Sequence, residues 1–411
     1  MAEGANLLVL GGANDQCEAL RELQTLGYRT VCVDQNLEAP GAKIAEKFAR
    51  VSTRDLNALV EFCETEGQRG AKIDGIITLG TDIPHISSRL AERLNLPGIS
   101  PQTADFFVDK LLAKERWSIF GVPTPTSTRI HSLTDLRATL AAHPDQDYVL
   151  KPADSSGSRG VFRLNKGSFD QLEKIFSLAS SATMSKRLLL DEFIPGRQLS
   201  TESLVREGKV TTYGFADRNY EWMDRFFPRI IENGGTMPSA LNTVERSQVN
   251  ELLEGACEAI GFSSGIIKGD VVLPSSGKPM IIELAARQSG GQFSTRLIPL
   301  SSGISAVGLG AKVALGEAIR DSDLEPSRSY WVANRYFVAR PGKVRKINGY
   351  EDLEAMPGIS EVRMFVEPGS TVRNVESHAD RLGFFIAVAE SSARLDQTVA
   401  EAYGAFSIEI E

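Results

Sequence analysis

The chain has only four cysteines and four histidines among 411 residues. Cys17, Cys32, Cys63 and Cys257 share no metal-ligand spacing and sit in apolar segments, so buried, reduced thiols in a reducing cytoplasm are the expected state. The histidines are scattered, which argues against a histidine-based zinc site. A basic surplus is missing too: the net charge is -8, whereas a nucleic-acid partner leaves a basic patch or stripe. No apolar run reaches the length of a membrane span, and Met1-Ala2-Glu3-Gly4 begins no signal peptide, so neither a membrane partner nor export is expected. Repeats and low-complexity tracts are absent. What remains, 42% hydrophobic and 24% charged, is an ordinary globular composition, long enough for two or three domains.

Over the first hundred residues strand and helix signals alternate. Leu7-Leu8-Val9-Leu10 runs apolar into Gly11-Gly12, as a strand buried on both faces would. Helical periodicity follows over 15–26, a second buried strand over 30–34, a helix over 56–66 and a further strand over 73–79. This alternation predicts a doubly wound, parallel α/β unit. The rhythm breaks at Pro97-Gly98, after which one helix is expected over 103–120. Beyond it the pattern predicts a hairpin over 148–161, helices near 169–178 and 248–260, and strands over 188–194, 199–205, 266–273 and 279–284. Residues after about 330 read as a small appended α/β cap.

The most informative stretch is the hairpin. An apolar strand delivers Lys151, and the small residues Ser155, Ser156, Gly157, Ser158 and Gly160 follow before apolar sequence resumes at Val161. Small residues let backbone approach a polyphosphate, and their amides and hydroxyls donate to it. A lysine beside that loop adds a compact positive charge. No Gly-Lys-Ser/Thr opens a helix here, so the phosphate grip is borne by a hairpin and not by a Walker loop.

Asp270 and Glu283 form a second constellation, each inside an apolar stretch on adjacent predicted strands. A buried carboxylate is costly unless paired or bound to a cation. Two facing one site suit magnesium, which takes oxygen ligands and bridges to phosphates. The alternative is an ordinary ion pair, to Lys268 or Arg287. Arg287 itself precedes Gln288-Ser289-Gly290-Gly291; a guanidinium at a glycine-rich turn can clamp a phosphate or carboxylate, or simply sit on the surface beside a turn.

These residues carry a resemblance to the ATP-grasp enzymes, in particular their carboxylate–amine ligases. It rests on Asp109-Lys110, on Leu150-Lys151-Pro152 with its Ser/Gly loop, on Asp191-Glu192-Phe193-Ile194-Pro195-Gly196, and on Ile282-Glu283-Leu284-Ala285-Ala286-Arg287. The fold it implies is α/β and α+β: a Rossmann-like pre-ATP-grasp domain (1–100), a linking helix (101–125), a small lid domain (126–198), an ATP-grasp core (199–329) and a C-terminal cap (330–411). Its cofactors would be ATP and magnesium or manganese, its partners a small-molecule carboxylate and an amine, and a homodimer is compatible with it. Lys110 and Lys151 would contact ATP, and the loop from Ser155 to Gly160 would close over the phosphates. Glu192, Phe193 and Ile194 would read the adenine edge through their backbone, and Gln198 falls where the family usually has a ribose-binding glutamate. Asp270 and Glu283 would hold the metal, and Arg287 would steady the transferred phosphoryl group. Ala285 departs from the asparagine that many members place there as a third metal ligand. In the loop 220–233, Arg225 and Arg229 suit a carboxylate, Glu232 an amine, and Trp222, Phe226 and Phe227 a pocket wall, although each also fits a solvated loop; Gly290 and Gly291 complete the expected substrate side.

Three rival readings compete with this one. A nicotinamide enzyme would use Gly11-Gly12 and Asp34, but the later glycines of that fingerprint are missing. A non-catalytic nucleotide-binding protein of the same fold is favoured by Ala285 and Gln198 and opposed by Lys151, Asp270, Glu283 and Arg287. A biotin-carboxylase-like carboxylase shares the core, yet nothing marks a biotin or bicarbonate site.

Overall fold

Strands β1 (Asn6–Leu10), β2 (Arg29–Asp34), β3 (Lys47–Arg50) and β4 (Gly75–Ile77) form a parallel sheet in the order β3-β2-β1-β4. The computed structural model describes residues 4–183 and 185–411, so most of the N-terminal signal-peptide reading lies outside the described residues. Leu7 and Val9 pack with Leu20 and Leu23 on one face, Leu8 and Leu10 with Leu59 and Leu90 on the other. Helices cover both faces, which is why β1 reads as a continuous apolar run and not as an alternation. β4 is shorter than expected. At Gly75 a Cβ would lie 2.8 Å from the carbonyl oxygen of Ala314, so the helix Ala306–Leu315 presses directly on its backbone.

The Gly11-Gly12 turn is filled from within. The Gly12 amide donates to Asp34 at 2.9 Å, and the Gly41 amide donates to the Gly12 carbonyl at 2.7 Å. The chain itself occupies the approach a dinucleotide would need, which removes the nicotinamide reading.

The single helix expected over 103–120 is two, Pro101–Phe106 and Lys110–Ile119. Asp109 breaks it: its carboxylate accepts from the amides of Leu111 (3.1 Å) and Leu112 (3.3 Å) and caps the second helix. That cap sets Lys110 at the helix start. The helix expected from 248 begins instead at Thr243, because Asn242 and Glu245 exchange side-chain and backbone hydrogen bonds in a capping box. The helix near 169 starts as a 3-10 turn and runs as α-helix over Leu172–Ser181.

Strands β5 (Ser127–Ile130), β6 (Tyr148–Pro152), β7 (Phe162–Leu164) and β8 (Leu188–Glu192) make a four-stranded sheet, β5-β8-β6-β7, in which β6 and β7 are the expected hairpin. The rest of the chain builds a larger sheet and a small one. Their strands are β9 (Arg197–Arg206), β10 (Lys209–Arg218), β11 (Gly235–Met237), β12 (Gly265–Leu273), β13 (Met280–Ala285) and β14 (Trp331–Phe337), followed by β15 (Gly342–Asn348), β16 (Ile359–Met364), β17 (Thr371–Val372), β18 (Gly383–Ala389) and β19 (Ser407–Ile410). Eight of them run in the order β13-β12-β9-β10-β11-β14-β18-β16. The C-terminal segment is therefore not simply appended: β14, β16 and β18 continue the core sheet, and only β15, β17 and β19 form a small sheet of their own. Helix Thr243–Ala259 covers one face through Val249, Leu252 and Leu253; Phe293, Leu297 and Ile298 cover the other. Among the described residues no single helix is long and apolar enough to cross a membrane.

Candidate active site between hairpin and core sheet

A cavity of about 520 Å3 opens between the β6–β7 hairpin and the core sheet. Of the residues singled out in the sequence, it is lined by Lys110, Lys151, Ser155–Ser158, Glu192, Phe193, Ile194, Gln198, Glu232, Asp270, Glu283, Arg287, Gly290 and Gly291.

At one end Lys151 and Lys114 share one buried carboxylate. Asp191 on β8 lies 2.7 Å from the Lys151 ammonium and 3.0 Å from that of Lys114, and accepts from the Ser127 hydroxyl at 2.6 Å. All three charged residues are buried. Burial pulls Lys114 down to about 8 against the attraction of Asp191. For Lys151, burial works the same way but Asp191, Glu283 and Asp270 together outweigh it, so its ammonium is held above the usual range. Lys110 bridges two elements: its ammonium donates to the Ser155 carbonyl at 2.7 Å and lies 3.0 Å from Glu283.

The loop between β6 and β7 turns through three left-handed residues, Gly157, Ser158 and Gly160. Gly160 does not line the cavity. A Cβ there would stand 2.6 Å from the Ala182 Cβ and 3.0 Å from Pro152, so glycine is what lets the loop pack on the helix behind it.

Asp270 on β12 and Glu283 on β13 are direct cross-strand partners. Asp270 belongs to an alternating chain of charge: it pairs with Lys268 and with Arg218 (2.8 Å), Arg218 pairs with Glu232 (2.8 Å), and Arg381 reaches Glu232 at 3.5 Å. Thus the ion-pair alternative is realised in part, with Lys268 as expected and Arg218 in place of Arg287. Lys268 is also directly opposite Ala285, where the family resemblance called for a further oxygen ligand. Burial opposes ionisation of Asp270 and Glu232, but their arginine and lysine neighbours prevail; Asp270 is held well below the usual carboxylate range and Glu232 is brought to about 2. Among the described residues no group of three or more histidine, cysteine, aspartate or glutamate side chains is gathered to hold a metal. Two carboxylates facing a phosphate loop remain a fitting donor set for magnesium, which completes its shell with phosphate oxygens and water.

Arg287 is fixed by the N-terminal sheet. Its Nε donates to Asp82 at 2.5 Å and its Nη1 to the Gln288 carbonyl at 3.0 Å. Asp82 lies just past β4, and Leu79 forms a parallel bridge to Gln288. Burial resists the Asp82 charge, yet Arg287 brings it to about 2. Gly291 is held by Asp15, which accepts from its amide at 3.1 Å.

Two expected substrate arginines point elsewhere. Arg225 is exposed and stacks over Trp222 and Phe226; Arg229 pairs with Glu376 at 2.8 Å and lies over Phe162. Neither lines the cavity, nor do Trp222, Phe226 and Phe227; Tyr220 and Met223 do. Trp222 and Phe226 meet edge to face within the loop, and Tyr220, Met223, Ile230 and Glu232 are what it turns to the cleft. Glu232 does line it, but Arg218 and Arg381 occupy its carboxylate.

The lining residues Asp82, Arg218, His378 and Arg381 escaped the sequence reading. Asp82 had a signal, since ligands in parallel α/β sheets gather beyond the carboxyl ends of strands. For the other three no local signal exists.

Because Asp82 and Glu232 titrate lower folded than unfolded, their stabilisation is complete above the ordinary carboxylate range near pH 4 and is lost as pH falls towards about 2. Urea unfolding midpoints are expected to fall through that window, with a shallower slope for Glu232→Gln; an equal slope in that variant would remove Glu232 from the account.

Comparison with known proteins agrees with this geometry. Residues 107–291 match the ATP-grasp domain family, and residues 335–411 match the L-amino acid ligase C-terminal domain 2 family. The chain is 26% identical over 228 residues to the D-alanine–D-alanine ligase of Cupriavidus necator, a match covering 54% of this chain and 66% of that protein, just under two thirds. It is 23% identical over 308 residues to dapdiamide A synthase of Enterobacter agglomerans, covering 71% and 69%. In fold it superposes on an L-amino acid ligase from Bacillus licheniformis with a TM-score of 0.83, at 20% identity and with both chains fully covered. The chain thus carries an ATP-grasp domain over residues 107–291 and an L-amino acid ligase C-terminal domain 2 over residues 335–411.

Proposed function

We propose that this protein joins a small carboxylate to an amine, converting ATP to ADP and phosphate through an acyl phosphate. The observation that carries the reading is the convergence of Lys110, Lys151, Arg287 and the carboxylate pair Asp270 and Glu283 on one cavity beside the Ser/Gly loop. A carboxylate is a poor electrophile, so its oxygen first takes the γ-phosphoryl group; the amine nitrogen then attacks the acyl carbon and phosphate leaves. Lys110 and Lys151 offset phosphate charge, and the loop from Ser155 to Gly160 covers it. The segment from Glu192 to Ile194 would face the base through backbone groups other than the Glu192 and Phe193 amides, which donate to the Thr126 and Asp147 carbonyls, and Gln198 would face a ribose hydroxyl. Arg287, pre-set by Asp82, offers its remaining N–H groups to the transferred group and to the oxygen that gains charge. Asp270 and Glu283 would hold magnesium or manganese, which when bound neutralises the charge shared by the β- and γ-phosphates. Arg218 and Lys268 keep Asp270 ionised for that task. Gly290 and Gly291 bring backbone close to the substrates; Arg225 and Arg229 are withdrawn from substrate contact. The domain limits read from the sequence remain a proposal, with β14, β16 and β18 of the cap sharing the core sheet, and an ATP-consuming ligase of this kind fits the cytoplasm.

A panel of acids and amines, read by phosphate release and by mass of the amide, tests the reading. Turnover is expected only with both co-substrates, and EDTA is expected to abolish it. Glu283→Ala is expected to lower kcat about 10²-fold or more, the scale of losing one preorganised charge contact. Tight ATP binding without turnover across the panel would instead establish the non-catalytic reading.

A further inference from the structure

The tip of the phosphate loop touches a residue from the far end of the chain. The His378 amide donates to the Gly157 carbonyl at 3.3 Å, and its Nε2 lies 3.1 Å from the Ser158 hydroxyl. The same Nε2 accepts from the Glu232 amide at 3.4 Å. An imidazole nitrogen that accepts from a backbone amide carries no proton, so the Ser158 hydroxyl is the donor to it.

Loop 220–233 is bound on both sides of this contact. On the hairpin side the Arg163 amide donates to the Pro228 carbonyl at 2.7 Å, and Phe162 bridges Arg229 in antiparallel fashion. On the C-terminal side Arg229 donates to the Glu376 carbonyl (3.1 Å) and carboxylate (2.8 Å), while Arg381 reaches Glu232. The turn that presents His378 is itself fixed. Asp380 accepts from the amides of Glu376 (3.0 Å) and Ser377 (2.9 Å), and the Leu382 amide ties to the Phe337 carbonyl at 2.8 Å where β14 meets β18. One ring thus joins the nucleotide cover, loop 220–233 and a rigid turn of the core sheet.

We propose that His378 is a positioning residue that clasps the tip of the phosphate loop to loop 220–233, so that the cover over the acyl phosphate closes fully only with the substrate-side loop in place. The proposal rests on the ligase reading. Its chemical consequence is coupling: with the clasp open, water attacks the acyl phosphate, regenerating the carboxylate and releasing phosphate, and the net reaction is ATP plus water to ADP plus phosphate with no amide.

Four proteins test it: wild type, His378→Ala, His378→Gln and Ser158→Ala, with the double variant His378→Ala/Ser158→Ala as a cycle. The first readout needs nucleotide alone. With magnesium and a non-hydrolysable ATP analogue, amides over 155–160 should exchange hydrogen roughly five- to tenfold faster in His378→Ala and Ser158→Ala than in wild type, the effect of losing one or two hydrogen bonds. His378→Gln, whose carboxamide oxygen can still accept from the Ser158 hydroxyl and the Glu232 amide, should stay near wild type. The second readout is ADP formed per amide, expected near one in wild type, several-fold higher in the two alanine variants, and no higher in the double variant. Equal exchange and equal coupling in all proteins overturns the clasp. If wild type makes no amide but the exchange pattern holds, the ligase reading fails and the clasp stands. Should His378→Ala not fold, Ser158→Ala and His378→Gln carry both readouts.

Discussion

Replacing Arg287 by alanine is expected to lower amide formation by about 10²–10³-fold while changing ATP affinity by less than roughly threefold. The asymmetry follows from where the side chain is held. Its Nε is committed to Asp82 at 2.5 Å and its Nη1 to a backbone carbonyl, so the guanidinium is oriented before any substrate arrives. Asp82, brought to about 2, stays ionised at any working pH and keeps the fork in place. What the fork adds grows as the phosphoryl group moves and negative charge builds, so its loss falls on kcat more than on binding. Arg287→Lys should recover less than about a tenth of the activity, because a point charge cannot serve Asp82 and a transferring group through one planar fork. Steady-state kcat and KM, with the affinity for a non-hydrolysable analogue measured separately, decide the matter. Turnover within fivefold of wild type would return Arg287 to a purely structural tie between β13 and the N-terminal sheet.

Much of that geometry was legible in the sequence, and the reason is locality. The hairpin over β6 and β7 announces itself in one stretch, since apolar strand, lysine, small residues and apolar strand are contiguous. Asp270 and Glu283 could be paired because a short turn fixes the register of β12 against β13. Arg218 and His378 had no such help. Arg218 ends β10, and it meets Asp270 only because β9 lies between β10 and β12 in the sheet. His378 arrives through the pairing of β14 with β18, a connection that no spacing encodes. Gly383-Phe384-Phe385-Ile386-Ala387-Val388-Ala389 reads plainly as a buried strand but does not say to which sheet it belongs, hence the expectation of an appended cap. Loop 220–233 misled for another reason. Arg225 and Arg229 have the right chemistry for a substrate, yet aromatic faces and Glu376 lie nearer than the cavity. Asp109 was visible as part of a motif, but its role as a helix cap, which splits one helix into two, emerges only from its hydrogen bonds.

The same locality hid a buried cluster in which two ammonium groups share one carboxylate, and a stability measurement should expose it. Asp191→Ala is expected to destabilise the fold by about 3–5 kcal/mol, the cost of leaving a buried charge without its partner. Two ammonium groups, Lys114 and Lys151, depend on that one carboxylate at 3.0 and 2.7 Å. With it removed they face each other in the interior, so the folded-state proton affinity of Lys114 must drop further and that of Lys151 must fall from its raised position. The sign of the pH dependence then follows. A lysine whose folded pKa lies below its unfolded value binds fewer protons in the folded state across that interval, so stability rises with pH there. Lys114, already down to about 8 in the intact protein, marks where the interval begins. The deficit of Asp191→Ala relative to wild type should therefore shrink as pH is raised from 7 towards 10. Asp191→Asn should show the same trend with a smaller deficit, because the amide oxygen still accepts from Ser127. Urea unfolding at several pH values measures all three proteins. A deficit below about 1 kcal/mol, or one that does not change with pH, would mean that water reaches these lysines and that Asp191 does not hold them. In that case Lys151 could not be the fixed charge that the phosphate loop is built around.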